Sequence, residues 1–303
     1  MKELTFKQTM NRVGLAFFAF MVTAQLTAAA VITLVQAFAP ALYAQPWFLS
    51  AAGTLPIYVF AVPVLLLILR TIPNGSATPP KENRPLWYLL MFIPLGIAGL
   101  YLGNMVGLLV TTLIGLLRGA NVVNPLESMV MESGLTLITV LILTVVGPLM
   151  EELIFRYALY KKLGRFGDKA YIVVSAALFA LFHGNLSQLV YAFVLGALFA
   201  YLYCRTGNIL LPAALHMFVN FLGSVVSLSV MNNQSALAIF SMFVLLMLVG
   251  GVAIALLRYK HITLHTGVQP IGPHPVRDAV LNAGMLLSIL LCCVLIVLVS
   301  VVL

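Results

Sequence analysis

Three polar clusters interrupt stretches that are otherwise apolar. Glu151, Glu152 and Arg156 stand in the run Gly147-Pro-Leu-Met-Glu-Glu-Leu-Ile-Phe-Arg156. His183 ends the run Phe179-Ala-Leu-Phe-His183, and His216 and Asn220 bound His216-Met-Phe-Val-Asn220. Carboxylate and imidazole are the side chains that most often take up and return protons in catalysis. Inside a membrane the same groups can relay protons in a transporter, and two His with a Glu can in principle hold zinc. No HExxH occurs, and Asn220 is a better hydrogen-bond donor than metal ligand, so a metal-free site is the expectation.

Spacing says which groups can work together. Glu152 and Arg156 stand at i,i+4 and share a helix face, so they can pair. Glu151 points about 100° away from Glu152 around a helix, which leaves it outside that pairing. His216 and Asn220 are also i,i+4, aiming an imidazole and an amide the same way. Pro148 and Pro212 precede Glu151 and His216, where each can loosen the local helix. Taken singly, each feature has a structural explanation. A membrane histidine can be a hydrogen-bonding packing residue, the Glu152–Arg156 pair a support, and Phe179 packing. It is their conjunction that points to chemistry.

The elements that must position these groups are membrane helices. Hydrophobic residues make up 62% of the 303 and charged residues 8%, where soluble domains carry about 25% charged. Nine apolar segments follow from hydropathy, at roughly 13–39, 47–70, 86–117, 133–160, 170–183, 187–204, 208–230, 235–258 and 279–303. The first is too long for a cleaved signal peptide. The expected fold class is therefore all-α: a polytopic membrane bundle of about nine transmembrane helices in the cell membrane.

Loop charge orients the bundle. With the N-terminus in the cytoplasm, Lys2, Lys7, Arg12, Arg70, Lys81, Arg84, Lys161, Lys162, Arg165, Lys169, Arg205, Arg258, Lys260 and Arg277 all fall inside. The opposite loops hold Arg118 with Glu127 and Glu132. This one-sided distribution is what the positive-inside rule requires, and it explains the net charge of +8 without invoking nucleic acid. The three cysteines have no spacing that implies a disulfide framework or a zinc module. His261, His265 and His274 fall in a polar loop and read as solvated.

Depth can be counted from the basic ends. At about 1.5 Å per residue, Glu151 lies roughly 15 Å, His216 about 16 Å and His183 roughly 21 Å from the cytoplasmic boundary. One carboxylate and two imidazoles on three helices thus reach similar depths in a layer about 30 Å thick.

In their order and spacing these residues resemble the CPBP family, also called the Abi or type II CAAX prenyl protease-like family of intramembrane proteases. Its pattern, EExxxR, then FxxxH, then HxxxN, is read here as Glu151-Glu152-xxx-Arg156, Phe179-xxx-His183 and His216-xxx-Asn220, within roughly residues 130–225. The resemblance implies an endopeptidase acting on membrane-embedded or membrane-associated peptides. It implies that Glu151 and His183 activate a water, that His216 and Asn220 stabilise the oxyanion, and that Glu152, Arg156 and Phe179 support them, with no cofactor (zinc being the less favoured alternative). Residues 126–230 are then the catalytic helix core, with 1–125 and 231–303 as accessory helices. Competing readings are a non-catalytic membrane scaffold or regulator, a bacteriocin self-immunity protein, and a proton-coupled transporter. No inverted repeat supports the last.

Overall fold

A computed structural model describes residues 3–75, 79, 84–119, 122, 128, 130 and 134–298. Within them run nine principal helices: α1 (Phe6–Phe38), α2 (Phe48–Leu69), α3 (Trp87–Arg118), α4 (Leu137–Phe166), α5 (Asp168–Phe182), α6 (Leu186–Thr206), α7 (Leu210–Val230), α8 (Gln234–His261) and α9 (Ala283–Val297). They correspond one to one with the expected apolar segments. Seven are long and apolar enough to cross a membrane. The exceptions are α5 and α9, of 15 residues each, about 22 Å of helix. The chain is a multi-pass integral membrane protein, and large apolar side chains such as Leu117, Leu257 and Ile239 face outward as lipid-facing residues do.

The helix ends are set by residues that satisfy or release the backbone. Thr5 and Gln8 form a reciprocal capping box at the start of α1. Asn185, Asn233 and Asn282 accept the first free N–H groups of α6, α8 and α9. Gly184 turns the chain between α5 and α6 with φ +64°, a conformation glycine adopts without strain.

The loops between helices converge on one face. Arg12 donates to the Thr71 carbonyl, and Lys162 Nζ donates to Ile72 O at 2.8 Å and Asn74 Oδ1 at 2.6 Å. Arg165 Nη2 donates to Thr9 Oγ1 at 2.7 Å. The loop after α8 reaches the same place, where the backbone N–H groups of Asp168 and Gln269 donate to His265 O and Arg165 O. This is the face that the loop charges assign to the cytoplasm; Lys2, Lys81, Glu127 and Glu132 lie outside the described residues. His265 is not simply solvated as expected, since its Nδ1 lies 2.9 Å from Oδ2 of the buried Asp168.

Packing passes from α9 and α2 onto α1, through α4 and α5 to α6, and then to α3 and α8. An aromatic seam joins α1 to the centre: Phe17 meets Phe155 at 5.5 Å and Phe20 meets Phe182 at 5.3 Å between ring centroids. On the other side Gly99, Gly103 and Gly107 recur every fourth residue of α3 and let α6 approach closely. A Cβ on Gly107 would stand 2.3 Å from the Ser187 carbonyl oxygen. Gly107→Val is therefore expected to lower stability in detergent by about 1–3 kcal/mol. Gly53→Ala, at a position with nothing within 4 Å, should leave the melting temperature unchanged or slightly higher; equal melting of the two variants would refute the close approach.

Candidate active site

The site is built on α4, whose hydrogen-bond register is interrupted twice. Segments Ile142–Val146 and Leu153–Ala158 are π-helical and flank the α-helical Gly147–Glu152 that carries both glutamates. The first interruption follows from Pro148. The Gly147 N–H bonds to Ile142 O, five residues back. The next bond in that register would need an N–H from Pro148, which has none, so the Leu143 carbonyl is left over. The side-chain amide of Asn220 on α7 donates to it at 3.1 Å. In the second interruption the Phe155 carbonyl accepts from Tyr171 Oη at 3.0 Å and Ser175 Oγ at 3.1 Å, both on α5. The irregular turns of α4 thus fix its register against α7 and α5, as π-bulges at functional sites often do.

The two adjacent glutamates have different surroundings. Glu152 is fully buried; its Oε2 lies 2.8 Å from Arg156 Nε, and its Oε1 lies 2.9 Å from His216 Nδ1. The Arg156 guanidinium lies over the rings of Phe179 at 4.9 Å and Phe199 at 5.6 Å, and its Nη1 reaches Ser175 Oγ at 3.4 Å. A buried cation is tolerable in such a setting because a carboxylate and ring faces replace water. Glu151, by contrast, keeps 15% of its side-chain surface accessible and places Oε2 3.9 Å from His216 Nε2. The imidazole of His216 therefore lies between two carboxylates, one on each nitrogen. Phe199 stacks on it at 4.9 Å with 30° between the planes, which holds the ring in that orientation.

His183 caps the end of α5. Its Nδ1 lies 2.7 Å from the Phe179 carbonyl; a carbonyl only accepts, so Nδ1 carries a hydrogen, and in the neutral ring Nε2 keeps its lone pair. Phe179 lies between the two imidazoles, 4.8 Å from His183 and 5.6 Å from His216 between ring centroids. Among the described residues, no hydrogen bond joins His183 to Glu151. Asn220 faces α4 two turns from the glutamates, with one amide hydrogen already given to Leu143.

Sequence reasoning did not single out Ser175, Tyr171 or Phe199. Ser175 carried a weak signal as a hydroxyl within a short apolar helix, whereas Phe199 is one of 18 phenylalanines and carried none. Among the described residues no group of three or more His, Cys, Asp or Glu is placed to hold a metal ion. Both oxygens of Glu152 and one nitrogen of His216 are already engaged within the protein.

Comparison with known proteins agrees with the motifs. Residues 133–222 match the family described as type II CAAX prenyl endopeptidase Rce1-like. The chain is 26% identical over 180 residues to the putative membrane peptidase YdiL of Bacillus subtilis (strain 168), covering 58% of this chain and 71% of that protein. It is 27% identical over 189 residues to the membrane-embedded CAAX protease MroQ of Staphylococcus aureus (strain USA300), covering 60% of this chain and 74% of that protein. No solved structure matches the chain significantly. Over the helices that carry Glu151, His183 and His216, this chain is thus similar to the type II CAAX prenyl endopeptidase Rce1-like family and to two bacterial proteins named as membrane peptidases.

Proposed function

We propose that the protein is an intramembrane endopeptidase that hydrolyses membrane-associated peptides with a water activated by Glu151 and His183. The observation that carries this reading is the unequal commitment of the neighbouring glutamates. Glu152 is buried against Arg156 and His216, while Glu151 remains partly accessible beside the same imidazole. One carboxylate organises the site and the other is left to act on a substrate.

In this mechanism a water held by Glu151 and His183 Nε2 attacks the peptide carbonyl carbon. As the carbon–oxygen bond forms, the carbonyl π pair moves onto oxygen and the water proton passes to the base. His216, donating from Nε2 in the form protonated on both ring nitrogens, and the remaining amide hydrogen of Asn220 stabilise the oxyanion. Collapse of the tetrahedral intermediate breaks the carbon–nitrogen bond, and the stored proton leaves with the amine. Glu152, Arg156 and Phe179 hold His216 in place and touch no reacting atom. No step requires a metal.

The names of the matched family and of MroQ point to substrates of the CAAX type, so suitable probes are a farnesylated CAAX peptide and a library of unprenylated membrane-spanning peptides. Purified wild type in detergent should cleave at least one of them. Glu151→Gln and His183→Ala should each slow cleavage by about 10²–10⁴-fold with little change in melting temperature; wild-type rates in both would end the catalytic assignment. Arg156→Leu should behave differently, lowering stability by about 3–5 kcal/mol because it leaves Glu152 buried without its cation; thermal melting measures this. Incubation with a zinc chelator should leave turnover intact, and loss of activity restored by added zinc would overturn the metal-free mechanism.

A further inference from the structure

The oxyanion donors implied by the family resemblance are partly committed elsewhere. His216 turns Nδ1 to Glu152, and Asn220 gives one amide hydrogen to Leu143. A further donor enters from α2, outside the matched segment. Its segment Ile57–Ala61 is π-helical, the Val62 N–H bonding to Ile57 O, and Pro63 follows without an N–H of its own. Pro148 sets up the same arrangement in α4. Tyr58 stands in this loosened turn and is half-buried against the core.

Gly147 of α4 locates the Tyr58 hydroxyl. The point where a Cβ on Gly147 would stand is 3.5 Å from Tyr58 Oη and 3.9 Å from Glu151 Oε1. The phenol and the catalytic carboxylate therefore face the same small space, kept open by the absence of a side chain at 147. Among the described residues the hydroxyl has no hydrogen-bond partner. A neutral donor held beside the base, with its hydrogen unclaimed, suits a developing oxyanion.

We propose that Tyr58 is a further catalytic residue, its O–H donating to the carbonyl oxygen of the scissile bond as negative charge develops there. The proton stays on the phenol throughout, so the proton count of the hydrolysis is unchanged. The proposal rests on the hydrolytic reading above, and it makes α2 part of the site.

The test uses the full chain in detergent and whichever of the two probe classes the wild type cleaves fastest, with turnover expressed per folded enzyme from tryptophan fluorescence. Tyr58→Phe removes one oxygen and keeps the ring. Its kcat is expected to fall by about 10–100-fold while KM stays within about twofold, as for a group that acts in the transition state. A kcat within about twofold of wild type, or a loss confined to KM, would overturn the proposal. Glu151→Gln is run alongside: if it retains wild-type turnover, the hydrolytic reading fails whatever Tyr58→Phe does, whereas an inactive Glu151→Gln with a fully active Tyr58→Phe defeats the Tyr58 proposal alone.

Discussion

The carboxylate of Glu152 is the group on which the remainder of the site depends. It is wholly buried, and removing one partner from a buried ion pair generally costs about 3–5 kcal/mol. Arg156 and His216 must therefore be brought to it from its own helix and from α7. That obligation sets the approach of α4 to α7, and the guanidinium then requires ring faces from Phe179 and Phe199 on α5 and α6. Four helices are registered around one buried charge, and the accessible Glu151 is placed as a result.

Irregular backbone is the second organising feature. In lipid each backbone polar group has to be satisfied within the protein. The π-helical turns of α4 release carbonyls at Leu143 and Phe155, and side chains from α7 and α5 take them up. Asn220, Tyr171 and Ser175 therefore act as register pins as well as site neighbours. The glycines of α3 do the complementary task on the outer side, where close backbone contact needs small residues.

Much of the helical layout was legible because lipid imposes simple rules on length and charge. The nine apolar segments and the one-sided lysines and arginines followed from those rules, and helix rise placed Glu151, His183 and His216 at comparable depths. Two things were hidden. A π-helical turn changes which carbonyl is left over, so the bond from Asn220 to Leu143 could not be read from an i,i+4 spacing computed on a regular helix. Aromatic neighbours were hidden because composition is saturated with them: nothing marks Phe199 as the ring that stacks on His216 rather than one facing lipid. The partial exposure of Glu151 also depends on tertiary packing and has no local signature.

The shortness of α5 has a consequence for the turn that follows it. Measured from Asp168 on the basic face, its 15 residues extend about 22 Å into a hydrocarbon layer about 30 Å deep. Its tip, with His183, Gly184 and Asn185, therefore stops short of the far side of such a layer. The turn between α5 and α6 therefore lies within the depth of the layer, where the protein itself has to meet its backbone polar groups, as the Asn185 side chain does by donating to the His183 carbonyl and accepting from the Gln188 N–H.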